Sequence, residues 1–182
     1  MSRRGAVAAI VLALVAACGQ APTPSGPTGQ PIVVVGRDAG FALSMRVGSD
    51  VVDAGVPIDV SSILTWEGAA PSATIWGSGG GPVSFSLEQV GGPLNIGGAM
   101  TADCAKHEYA RLVPTAIPFQ KSGGYTADDP NAAFYRTYFA DPVLRLPAGR
   151  WKLTAIANGY LKPCDMNARQ VNITLQAEIL VR

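Results

Sequence analysis

The chain predicts an all-β domain, an antiparallel sandwich of short strands, and three observations carry that expectation. Several segments alternate apolar and polar residues with period two. Glycine (21 residues) and proline (14) gather in clusters between those segments. No stretch has the apolar spacing of a long amphipathic helix. At 182 residues the chain suffices for one ordinary domain and a tail, not two domains. Hydrophobic residues make up 48%, enough for a sizeable core, while charged residues, at 15%, fall well below the usual share of about a quarter.

The first thirty residues lie outside any sandwich pattern. Arg3 and Arg4 precede an uncharged, mostly apolar run over residues 5–17. A helix of that length rises about 20 Å, short of the roughly 30 Å hydrocarbon layer, so it reads as an export signal and not as a membrane span. The run ends in Val15-Ala16-Ala17-Cys18, which resembles the lipobox of bacterial lipoproteins. The resemblance implies that the signal, residues 1–17, is cut off just before Cys18. It also implies that the Cys18 thiol carries diacylglycerol, with acyl chains such as palmitate making two or three in all. Two or more chains hold a protein stably on a bilayer, where one does so only marginally. Residues 18–31 then read as lipidated cysteine plus tether: rich in proline, glycine and serine, without charge, and unable to build a core. The domain is expected over residues 32–182.

Charge excludes one class of partner. The net charge is +1, and without Arg3 and Arg4 there remain 12 basic against 13 acidic residues. Nucleic-acid binding would leave a basic stripe, and none is present.

The strands follow in order. Residues 32–36 (IVVVG) form a β-branched run. In residues 41–47 (FALSMRV), Phe41, Leu43, Met45 and Val47 share one face. Residues 57–66 put Ile58, Val60, Leu64 and Trp66 inward, with Asp59, Ser61 and Thr65 opposite. Residues 82–90 turn Val83, Phe85 and Leu87 inward. Residues 170–181 do the same with Val171, Ile173, Leu175, Ala177, Ile179 and Val181. The clusters GSGGGP (77–82), VGGP (90–93) and LPAG (146–149) read as the turns between strands. Six to eight such strands make two sheets whose inner faces pack together. The stretch LRLPAGRWKLTAIA (144–157) resembles the strand–turn–strand corner of immunoglobulin-like and fibronectin III-like bacterial domains, with Trp151 opening a strand. That resemblance implies an immunoglobulin-like sandwich. One stretch departs from the alternation. In DDPNAAFYRTYFADP, Asp129 is a candidate helix cap, Pro130 suits a first helical position, and Pro142 lies beyond the end. It reads as a short helical insertion, with an aromatic strand as the alternative.

Chemistry-bearing residues are sparse. His107 is the sole histidine, and no G-x-S-x-G elbow, S-x-x-K set or phosphate-binding loop occurs, so no catalysis and no cofactor are expected. Asp103, Cys104, His107 and Glu108, with Cys164 and Asp165, are candidate zinc ligands. A disulfide is the stronger expectation, because assigning Cys18 to lipid leaves Cys104 and Cys164 as a pair in an exported chain. Closing a loop of about 60 residues stabilises a fold by roughly 4 kcal/mol in the chain-entropy account. Asp128, Asp129 and Asn131 offer oxygens to calcium but lack the spacing of a calcium-binding loop. Among the aromatics, Trp66 and Trp151 take inward positions. Trp76, Tyr135 and Tyr138 are the candidates for exposure and for contact with a partner or a glycan. The function expected is that of a lipid-anchored, extracytoplasmic binding or structural module of a bacterial envelope. Its partner would be an envelope protein or a glycan, and the alternatives are a glycan-binding module or a zinc enzyme.

Overall fold

The computed structural model describes residues 29–182. The expectations on residues 1–17, on Cys18 and on most of the tether lie outside the described residues. Two strands open the fold, β1 (Ile32–Asp38) and β2 (Phe41–Val47). They form a hairpin whose two-residue turn, Ala39-Gly40, takes φ +51° and +86°, the left-handed pair that suits the twist of the flanking strands. Seven further strands follow: β3 (Val51–Val52), β4 (Val60–Trp66), β5 (Ser72–Gly77), β6 (Val83–Gln89), β7 (Asn95–Ile96), β8 (Ala105–Ala110) and β9 (Thr115–Pro118). One helix, α1 (Ala132–Ala140), precedes two long strands, β10 (Gly149–Tyr160) and β11 (Gln170–Val181).

These elements form two sheets in a sandwich-like arrangement. The smaller sheet has the order β1-β2-β4-β9. The larger has seven strands, running β3-β11-β10 and continuing on the far side of β10 to β5 and β8, with β6 and β7 also on that side. Every pairing of these strands is antiparallel except that of β3 with β11. The expected strand phases hold. Phe41, Leu43, Met45, Val47, Leu64, Trp151 and Leu153 are fully buried, and β11 alternates buried and exposed along its whole length. At Gly36, β1 crosses close to β11. A Cβ there would fall 2.8 Å from both Ile173 Cγ2 and Leu175 Cδ2, so glycine lets the smaller sheet close onto the larger. Ordered contacts reach back beyond β1: Gly29 N–H donates to Ser49 Oγ (3.1 Å) and Gln30 N–H to Asp50 Oδ1 (2.7 Å).

Residues 132–140 are helix and not aromatic strand. The start differs from the expectation. Asp129 uses its carboxylate to accept the Asn131 N–H (2.7 Å) and its carbonyl to accept the Ala132 N–H (2.9 Å), so it closes a turn ahead of the helix. Asn131 takes the cap position without a side-chain bond. At the other end the last turn contains no basic residue, and a lysine from outside supplies the cation. The Lys121 ammonium donates to the carbonyls of Tyr138 (2.6 Å), Asp141 (2.6 Å) and Val143 (2.8 Å), using all three N–H groups. It also lies 4.1 Å from the centre of the Tyr138 ring.

Two stability measurements follow. Trp151 is fully buried, with its indole N–H donating to Pro147 O (3.0 Å), so Trp151→Ala should cost about 3–5 kcal/mol in chemical denaturation. Lys121→Met keeps the stem but strips three carbonyls of their donor, and should cost about 2 kcal/mol with faster amide exchange in α1.

Candidate functional site

The glycine-rich segment 77–82 contains the expected turn, closed by Gly81 N–H to Ser78 O (3.0 Å), and that turn is a bulge in a continuous line of strand. Trp76 pairs with Tyr160 and Val83 with Ala157, so β5 and β6 run in the same direction along the same partner, β10. Trp76 and Val83 are seven positions apart, whereas Ala157 and Tyr160 are only three apart. The surplus residues must loop out of the sheet, and glycine tolerates the backbone this demands.

A hydrogen-bonded network fixes the loop. Ser78, only 5% exposed, accepts the N–H groups of Thr101 (3.1 Å) and Gly80 (3.3 Å) on its Oγ, which lies 3.0 Å from Thr101 Oγ1. Gly79 N–H donates to Asp103 Oδ1 (2.7 Å), and the Thr101 hydroxyl donates to the same oxygen. The hydrogen bonds from Thr101 and Gly79 hold the Asp103 carboxyl below its ordinary value of 3.8, and His107 adds a smaller favourable charge. His107 Nε2 donates to the main-chain carbonyl of Ser78 at 2.8 Å, so the imidazole braces the bulge and supplies no base to the Ser78 hydroxyl.

Cys104 and Cys164 form the expected disulfide, with their Cα atoms 5.7 Å apart. It ties the segment that crosses from β7 to β8 to the loop after β10. Both sulfurs are thereby unavailable as zinc thiolates, and among the described residues no group of three or more His, Cys, Asp or Glu is arranged to hold a metal.

The crossing segment lies over the outer face of the larger sheet and leaves a cleft on either side of Met100 and Thr101. One, of about 320 Å³, is lined by Met100, Asn158, Tyr160, Met166 and the disulfide. The other, of about 240 Å³, is lined by the bulge, Ser84, Gln120 and Ser122. Among the described residues, no Asp, Glu, Lys, Arg or His lines either cleft. Along β6, β10 and β11 the face that continues from them is uncharged, with Ser86, Thr154, Ile156, Asn172, Thr174 and Gln176 pointing outward, while Lys106 and Glu108 of β8 flank it as an ion pair. Charges return at the far end as pairs, Lys152 with Glu88 and Arg150 with Glu178.

The sequence candidates divide at this point. Trp76 lies half-buried on this outer face, directly across from Tyr160. Tyr135 and Tyr138 were expected outside and are in the core, 6% and 4% exposed. The Tyr135 hydroxyl lies within hydrogen-bond distance of both the N–H and the carbonyl of Asn95, and burial raises the Tyr138 phenol above its ordinary value. Sequence reasoning passed over Tyr160, Ser84 and Met100. The outward phase of residues 150–160 was the one available sign of Tyr160. No family model matches the chain, and no curated protein matches it.

Because the folded pKa of Asp103 is depressed, its contribution is present above the ordinary carboxylate value and is lost as pH falls through the folded value. Carboxyl NMR should place its midpoint below 3.8. Protection of the Gly79 amide, its exchange rate relative to the intrinsic rate at each pH, should fall below that midpoint in wild type and show no such step in Asp103→Asn.

Proposed function

We propose that the chain is a lipid-anchored, extracytoplasmic module of a bacterial envelope, an immunoglobulin-like sandwich that binds a partner and does not transform it. The observation that carries this reading is Val15-Ala16-Ala17-Cys18 at the end of a basic-then-apolar start. The disulfide supports it, because paired cysteines persist in exported proteins and are rare where thiols are kept reduced. The strand arrangement supports the immunoglobulin-like part through two largely antiparallel sheets with the final hairpin inside the larger one. The disulfide joins two loops at one end of that sheet, unlike the sheet-bridging pair of antibody domains.

The point where the chain enters the domain is consistent with such an anchor. Gly29 and Gln30 dock beside Asp50, whose carbonyl accepts the Leu180 N–H, so the chain enters where β10 begins and β11 ends. The bulge and its clefts lie at the opposite end of β10, eleven residues on, or about 35 Å at the usual strand rise. In this reading the tether from Cys18 joins the domain at the pole opposite the clefts and leaves the clefts free for a partner.

Detergent-phase partitioning with an alkyne fatty-acid label tests the anchor. The wild-type protein should label and enter the detergent phase. Cys18→Ser should lose the label, and its uncut precursor should accumulate. A Cys18→Ser chain of mature length that still enters the detergent phase would overturn the reading.

A further inference from the structure

We infer that the membrane-distal outer face of the seven-stranded sheet is a binding site for an uncharged polysaccharide chain. The inference rests on the anchored-module reading for its biological setting, and on the geometry of that face for its chemistry.

A neutral sugar chain presents two kinds of surface: flat C–H faces that stack on aromatic rings, and a rim of hydroxyls that both donate and accept. The face offers a match to each. Trp76 and Tyr160 sit opposite one another in register, half-exposed on one side of the sheet. Neither ring packs against another aromatic. Among the described residues, neither the Trp76 indole N–H nor the Tyr160 hydroxyl has a hydrogen-bond partner. A pair of rings used only for core packing would have been turned inward, as Trp151 is. Here the rings form an open platform with two unsatisfied polar handles.

The hydrogen-bonding side is equally specific. Ser84 is 9% exposed, has no hydrogen-bond partner for its hydroxyl, and lines the smaller cleft. That hydroxyl opens on the cleft and is left to donate to and accept from a ligand there. Asn158 and Gln120 line the two clefts, and their side-chain amides make no hydrogen bond among the described residues. Met100 and Met166 give the larger cleft adaptable apolar walls against sugar C–H groups. Its volume of about 320 Å³ lies at the lower end of the range of small-ligand pockets, roughly 300–1,000 Å³.

Charge decides the class of ligand. With no charged group lining either cleft, an acidic polymer would find no cation to pair with. The ions beside the clefts are the Asp103 carboxylate, bonded to Thr101 and Gly79 at the bulge, which repels an acidic polymer, and Lys106, which pairs with Glu108 on the strand beside Trp76. A protein partner is disfavoured because its anchors are typically aromatic or arginine side chains seated in a dry apolar patch. This face is instead a row of hydroxyl and amide groups.

The test uses the full-length protein in detergent, run in native gels containing soluble β-glucan, α-glucan, mannan or galactan, with polygalacturonate as the acidic control. At least one neutral polymer should retard it. Trp76→Ala and Tyr160→Ala should each weaken that retardation about tenfold or more without shifting the melting temperature. Should Trp76→Ala fail to fold, Asn158→Ala provides the same reading on a side chain that bonds to nothing in the fold. Retardation by no neutral polymer, by polygalacturonate alone, or equally for all variants would overturn the inference. So would a photo-crosslinker at position 160 that captures protein instead of glycan. Membrane partitioning of the same samples separates the two readings, since a chain that enters the detergent phase through Cys18 and binds no neutral polymer retains its anchor and loses this site.

Discussion

The twelve-residue antiparallel ladder between β10 and β11 pairs Gly149 with Val181 at one end and Tyr160 with Gln170 at the other, and the remaining elements take their positions from it. Its register admits no slip, because moving either strand by one residue would turn six buried side chains of β11 to water. The inward row of β10 tapers from Trp151 and Leu153 through Ala155 and Ala157 to Gly159. Along this row bulk is therefore concentrated at the Trp151 end and is least at the opposite end, where Ile75 packs against Gly159 so closely that a Cβ there would collide with it.

The length of β10 also explains the distal pole. A strand of twelve residues offers more edge than β6 alone can cover, so β5 joins the same edge beyond the bulge. The mismatch in residue count is absorbed by glycine, and Ser78, Thr101, Asp103 and His107 hold the surplus in place. Covalent closure follows the same logic. The Cys104–Cys164 bond ties down the two irregular segments at the pole where the hydrophobic layer is thinnest.

Around α1 the fold reconciles burial with polar groups. Phe134, Tyr135, Tyr138 and Phe139 form a chain of ring contacts with Tyr125 and Trp151. The buried phenol of Tyr135 is satisfied by the backbone of Asn95, and Lys121 satisfies the carbonyls at and beyond the end of the helix. Elsewhere the compromise is incomplete. Ser62 faces the core with no partner for its hydroxyl while its neighbour Ile63 is 42% exposed, because Val60 and Leu64 dictate the phase of β4.

By itself the sequence determined what depends on near neighbours, the β class and the inward phase of β2, β4, β6 and β11, and by counting it paired Cys104 with Cys164, while at residues 132–140 it left helix and aromatic strand both open. Alternation with period two is a local property of a pleated strand, so composition and order suffice to read it. The candidate site was hardly legible. Trp76 was singled out, but Tyr160 lies 84 positions away in sequence and meets it only through strand register. Ser84 looked like one more outward serine until the segment from β7 to β8 covered it. Tyr135 and Tyr138 looked exposed until the loop carrying Lys121 and Tyr125 packed over them. Only tertiary structure decided these points, because whether an outward side chain meets water, a crossing segment or a cleft is set by contacts between distant parts of the chain, and period-two patterning carries no information about them.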